Sequence, residues 1–187
     1  MTSVAAKPQL DPLNKKLREK CTVLALMISS LKAVHSSPEA TASQVQLLET
    51  VIGAAIWYLP KVPQLWTGRA SVSAIKLLQA GDLKGVSKDH QIPRKVAARK
   101  LLLLSESELT PENIERLYVE NFGRFNLVTK AENRILMPFQ RSHVFESPEK
   151  AYTEAGIKLV DAAHLTEARR RAGTVKNWAN IQEAQHT

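Results

Sequence analysis

The chain carries five histidines, at positions 35, 90, 143, 164 and 186. His90 is the one set among other groups with chemistry to offer, in the run Lys88-Asp89-His90-Gln91-Ile92-Pro93-Arg94. A neutral imidazole can accept a proton from water near neutral pH, because its unperturbed pKa is about 6.5. The adjoining Asp89 supplies a hard oxygen donor. A second cluster, Phe125 to Arg134, brings two carboxamides, Asn126 and Asn133, and the pair Thr129-x-x-Glu132. His35 falls at a helix end, His164 in a tail helix and His186 beside the terminus, so these three read as surface or capping residues.

Both clusters need elements to hold them. Asp89 closes a candidate strand over Lys84 to Asp89 and His90 follows it, and Phe125, Leu127 and Val128 favour a second strand over Arg124 to Val128. Thr129 and Glu132 have the spacing of a capping box, which puts Asn133 in the first turn of a following helix. Helices are predicted between the strands, near Arg94 to Leu104 and Pro111 to Asn121. Upstream, Leu17, Cys21, Leu24, Met27, Ile28 and Leu31 recur at helical steps, predicting a helix from Leu13 to about Val34. Ser37-Pro38-Glu39 reads as the start of a second helix, with Val45, Leu48, Ile52, Ala55, Ile56 and Leu59 on one face. A third, Ser71 to Ala80, ends at Gly81, where a left-handed cap belongs. The expected fold class is α+β and mainly helical: a helical portion over 1–80 led by a loose proline-bearing arm, a mixed portion over 81–147, and a helical tail over 148–187.

Asp89-His90-x-x-Pro93, followed by an Asn-bearing strand and helix, resembles the HNH, or ββα-metal, nuclease family over roughly residues 84–140. The resemblance implies that Asp89 holds a metal and that His90 is the general base that activates water. It also implies that Asn126 orients the His loop or imidazole and that Asn133 completes the metal site. The portion 81–147 would then be a ββα-metal-like unit with a helical insertion, hydrolysing phosphodiester bonds of DNA or RNA, with DNA favoured. Oxygen donors suit Mg²⁺ or Mn²⁺. Asn126 and Asn133 stand closer together than the family's pair usually does, the connection from His90 to Asn126 is longer than in compact members, and no Cys pair is present for a zinc knuckle. Structural roles remain open beside these: Asp89 as a helix cap, His90 as a turn residue, Asn133 as an exposed side chain.

Charge bears on the same reading. Lys plus Arg number 26 against 18 Asp plus Glu, a net +8 with a pI near 9.7. Lys84, Lys88, Arg94, Lys95, Arg99 and Lys100 crowd around the single Asp89, and Arg124, Arg134 and Arg141 flank the second cluster. Lys88, Arg94, Lys95, Arg99, Lys100, Arg124 and Arg134 are therefore the candidate contacts to a phosphate backbone. Arg169, Arg170 and Arg171 could also touch DNA or simply be exposed. No P-loop, dinucleotide fingerprint, zinc-protease helix, serine-esterase elbow or EF-hand loop occurs. The single Cys21 excludes an intramolecular disulfide and reads as a core residue, which with the absence of an export or membrane-spanning pattern places the chain in the cytoplasm. The N-terminal helices would recognise substrate, pair with a second copy or take an inhibitor protein. The competing reading is a non-catalytic basic module that binds nucleic acid or protein, or a helical assembly subunit with incidental charge.

Overall fold

The computed structural model describes residues 12–173; most of the N-terminal arm, residues 174–187 of the tail and His186 lie outside the described residues. Helix α1 (Pro12–His35) buries Leu17, Cys21, Leu24 and Ile28 along one stripe, as the three- and four-residue spacing requires. Burial pushes the Cys21 thiol up to about 12, which suits a packed side chain and not a nucleophile. Among the described residues no helix is long and apolar enough to cross a membrane.

Helix α2 (Ala42–Trp57) starts later than Ser37-Pro38-Glu39 suggests. Thr41 and Gln44 form a reciprocal capping box, which satisfies the first free amides, while the Ala40 amide donates to the Ser37 carbonyl to close a turn. The Ser/Thr-Pro-Glu starter does open two other helices, α5 (Pro111–Leu117) and α7 (Pro148–Glu154), where Thr110 and Ser147 accept backbone amides.

A correction falls within the stretch read as all-helical: Trp66–Ser71 is a strand, β1. Its alternation is broken at Gly68, whose φ of +83° breaks the parallel register between Trp66 and Ala70, so no period of two is visible in the sequence. Ser71 ends β1 and caps α3 (Val72–Gln79). The tail contributes a second unforeseen strand, β4 (Leu159–Asp161), only three residues long. The foreseen strands are β2 (Val86–His90) and β3 (Phe125–Thr129). The remaining helices are α4 (Arg94–Leu102), α6 (Lys130–Leu136) and α8 (Thr166–Ala172). The chain is thus α+β and mainly helical, with a mixed four-stranded sheet ordered β2-β3-β1-β4.

The sheet separates two apolar layers. Val86, Phe125, Leu127 and Ala70 join the large core with α1, α2, α4 and α5, whereas Val128 packs with Leu136, Tyr152 and Ile157 beneath α6 and α7. Helices α2 and α4 meet closely because Gly53 has no Cβ; one there would lie 3.2 Å from the Arg94 carbonyl oxygen. Beside that contact the buried Glu49 carboxylate accepts two bonds from the Arg99 guanidinium, at 2.6 and 3.2 Å. On the outer side of α1 and α2, Val23, Leu26, Leu47 and Val51 are exposed. At the open edge of β2, the Arg171 guanidinium donates through two nitrogens to the Val86 carbonyl.

Gly53→Leu overpacks the α2–α4 contact at a cost of about 1–3 kcal/mol. Urea denaturation will show a lower midpoint with an unchanged slope.

Candidate functional site

Strands β2 and β3 pair antiparallel with Asp89 opposite Asn126 and His90 opposite Phe125. Because side chains alternate along a strand, Val86, Lys88 and His90 point into the helical layer with Phe125 and Leu127, while Asp89 and Asn126 share the other face with Val128. Thr129 ends β3 and caps α6 with the foreseen box: it accepts the Glu132 amide at 3.0 Å and donates its own amide to the Glu132 carboxylate at 2.8 Å. Asn133 follows in the first turns of α6. The order is strand, strand, helix, with α4 and α5 inserted between the strands.

A cleft of about 410 Å³ wraps the free edge of β2. Asp89, His90 and Asn133 all line it, together with Trp57, Arg94 and Arg141. Asp89 is 4% exposed, and Gln140 Nε2 donates to both its oxygens at 3.0 and 3.1 Å while the Tyr152 hydroxyl donates to Oδ2. Burial raises the Asp89 pKa, and the Tyr152 and Gln140 hydrogen bonds oppose that rise. The His90 ring stands edge-on to Trp57 and Phe125, with centroids 5.4 and 6.2 Å away. Burial, with Lys61 and Arg94 nearby, pushes its pKa down to about 4; a hydrogen bond to the Gly123 carbonyl works the other way. The ring is therefore neutral at pH 7 and a weaker base than an ordinary imidazole.

Gly123 reaches His90 because it ends a π-helical turn over Tyr118–Phe122, where its amide donates to the Tyr118 carbonyl at 2.7 Å. A Cβ at Gly123 would stand 2.7 Å from the Tyr118 ring and 2.8 Å from Leu65, so only glycine lets the turn close on this spot. Asn126 lies across the sheet from the imidazole, and Gly123 is the residue that orients the ring. Asn126 is fully buried; its Oδ1 accepts the Thr67 hydroxyl. Its Nδ2 lies toward the Tyr152 oxygen yet makes no hydrogen bond of ordinary geometry, and Tyr152 keeps its proton because burial, then the Asp89 carboxylate, push its pKa up.

The candidate backbone contacts divide. Lys88 and Arg94 line the main cleft, and Lys95 lines its neighbour with Arg94, Arg141 and His143. Arg94 lies 4.1 Å over the Trp57 ring and Lys61 4.7 Å over it, so this aromatic face is flanked by two cations. Lys88 is half-buried, donates to the Ala172 carbonyl at 2.8 Å and is pushed down to about 8, by burial first and then by Lys61 and Arg171. Arg99 is engaged by Glu49, while Lys100 and Arg134 are exposed away from the cleft lining. Arg124 is half-buried, with its Nε unpartnered. Trp57, Gln140 and Tyr152 are contributors that no spacing in the sequence links to the Asp-His pair.

Among the described residues no three His, Cys, Asp or Glu side chains cluster to hold a metal. Asp89 nevertheless keeps one of its roughly four carboxylate lone-pair sites beyond the bonds from Gln140 and Tyr152. The Asn133 side chain lines the same cleft. One carboxylate and one amide oxygen suit a water-rich Mg²⁺ or Mn²⁺ that takes further ligands from a substrate phosphate, as hard cations commonly do. Comparison with models of known families, with curated proteins and with solved structures found no match.

The His90 shift has a pH signature. Its folded-state pKa lies below the unfolded value, so between about 6.5 and about 4 the unfolded chain binds a proton that the native chain refuses, and stability falls as pH falls. Asp89, with a raised pKa, acts in the opposite sense. In urea titrations at pH 7 and pH 5, wild type will lose about 1–2 kcal/mol more than His90→Phe, which keeps an aromatic ring in place.

Proposed function

We propose that the cleft along β2 binds nucleic acid, with DNA favoured over RNA, and hydrolyses its phosphodiester backbone with a divalent cation. The observation that carries this reading is that Asp89, His90 and Asn133, distant in sequence, line one cleft beside Lys88, Arg94 and Arg141. The strand-strand-helix order agrees with the resemblance to ββα-metal nucleases. The cation would be held by Asp89 and Asn133, and when bound it supplies charge neutralisation for the phosphoryl and leaving oxygens. Neutral His90 accepts a proton from the attacking water, with its tautomer fixed by the Gly123 carbonyl. Arg94 and Arg141 hold the flanking phosphates.

A second reading draws on the Asp89 carboxylate, whose oxygens already accept three contacts from Gln140 and Tyr152: the same groove would bind nucleic acid without cutting it. Purified protein incubated with plasmid and RNA in Mg²⁺, Mn²⁺ or EDTA separates the two. Metal-dependent cleavage lost in both His90→Ala and Asp89→Asn supports hydrolysis; salt-sensitive binding without cleavage supports the second reading. Arg94→Gln will weaken binding and lower the magnitude of the salt slope by about one.

The partner of the N-terminal helices is a second copy of the chain. From Val23 to Val34 the sole charged residue of α1 is Lys32, which donates to the Leu104 carbonyl, and the sole charged residue of α2 is the buried Glu49. A face without charge on a chain of net +8 is where two copies can approach, and depletion of charge is characteristic of interface cores. Light scattering of wild type will give a dimer, and Leu26→Glu with Leu47→Glu a folded monomer; a monomeric wild type removes this partner.

A further inference from the structure

The second cleft on the sheet lies on the other side of Tyr152 from Asp89. It encloses about 270 Å³ and is lined by Arg69, Gln91, Asn126, Tyr152 and Lys158, among others. None of the nucleic-acid contacts assigned above lies in it.

Asn126 decides what this pocket can take. The side chain is fully buried, its oxygen is committed to Thr67, and its Nδ2 donor, which lies toward the Tyr152 oxygen, makes no hydrogen bond of ordinary geometry. A buried donor without an acceptor is destabilising, so a ligand oxygen at that point relieves a cost the empty fold carries. Around the same space stand two cations. Arg69 commits one nitrogen to the Leu159 carbonyl at 3.2 Å and keeps its other donors, while Lys158 is exposed. The Gln91 carboxamide also faces the pocket. Glu149 lies on the lining as well, leaving the pocket net positive. Tyr152 and Thr153 add little, because both hydroxyls already donate, to Asp89 and to the Glu149 carbonyl.

We infer that this pocket binds a phosphate monoester, with Asn126 Nδ2 donating from the floor and Arg69 and Lys158 neutralising the charge. Four donor groups around one small space match a dianion with three oxygens. The volume admits a phosphate with its attached sugar and excludes a duplex. Such a phosphate comes from a free mononucleotide or from the 5′ end of a strand. Binding here does not require that the other cleft hydrolyse anything.

The test uses the full chain in EDTA, so that no strand is cut. Inorganic phosphate, a 5′-mononucleotide, and a tetranucleotide with and without a 5′-phosphate are titrated by calorimetry and by ¹⁵N-resolved NMR. The expected result is saturable binding of the phosphate-bearing probes and a shift of the Asn126 side-chain amide resonances. Loss of about tenfold or more in affinity is expected in the exposed-site variant Arg69→Gln. Preference for the mononucleotide identifies a free ligand; preference for the 5′-phosphorylated strand over its 5′-hydroxyl form identifies a strand end. The titrations are made in EDTA and the Asn126 side-chain amide reports this pocket alone, so failure of hydrolysis in the first cleft and failure of this pocket are read separately. Absence of saturable binding, an unmoved Asn126 amide, or equal affinity in Arg69→Gln overturns the inference.

Discussion

The pairing of β2 with β3 fixes where the side chains of Asp89, His90 and Asn126 can go. With Asp89 set against Asn126, the two-residue period sends the carboxylate under α7 and the imidazole into the helical layer. A slip of one residue would exchange them, leaving a carboxylate among Trp57, Phe125 and Ile56 and an imidazole in the space that Gln140 and Tyr152 fill. The register is held at both ends of the ladder. The Gln91 amide donates to the Arg124 carbonyl at one end and the Lys130 amide to the Gly85 carbonyl at the other, each at 2.9 Å. Just beyond, the turn at Gly123 and the Thr129 capping box leave the chain no spare residue.

Around that ladder the protein keeps its interior nearly free of charge and its rim positive. Burial drives His90 and Lys88 toward their neutral forms, and Lys61, lying near both, adds to the effect. Burial drives Asp89 the same way, toward the uncharged acid. Among the described residues the one carboxylate that stays deep in the helical layer, Glu49, does so against an arginine fork. Lys88, at about 8, still carries its proton at pH 7, and the other cations of the rim, Arg94, Arg141 and Lys61, stand outside, two of them on an aromatic face. A polyanion approaching the β2 edge therefore meets cations first and the titratable groups behind them.

Much of this organisation was legible in the residues themselves. Helical periodicity located α1 and most of α2, and the Thr129–Glu132 spacing located the start of α6, because caps and apolar stripes are local signals. Strands β1 and β4 were not legible. One is broken by Gly68, the other has three residues, and both owe their pairing to partners remote in sequence. The same physics limited the site. Asp89, His90 and Asn133 could be named from type and spacing, and they line one cleft. That Asn126 faces away from the imidazole follows only from the cross-strand register. Trp57, Gln140 and Tyr152 reach the sheet through tertiary packing, which leaves no trace in local spacing. Arg99 stood in a basic run, yet its partner is a glutamate fifty positions away.

Arg171 gives the free side of β2 a character of its own. By filling the outward carbonyl of Val86 from α8, it removes one of the few acceptors that another extended chain would need in order to add itself to the sheet. Lys88, tied to the Ala172 carbonyl of the same helix, sets a cation beside that margin. The margin beside the first cleft is thereby guarded against runaway strand addition, the route by which exposed sheet borders lead to fibrous association.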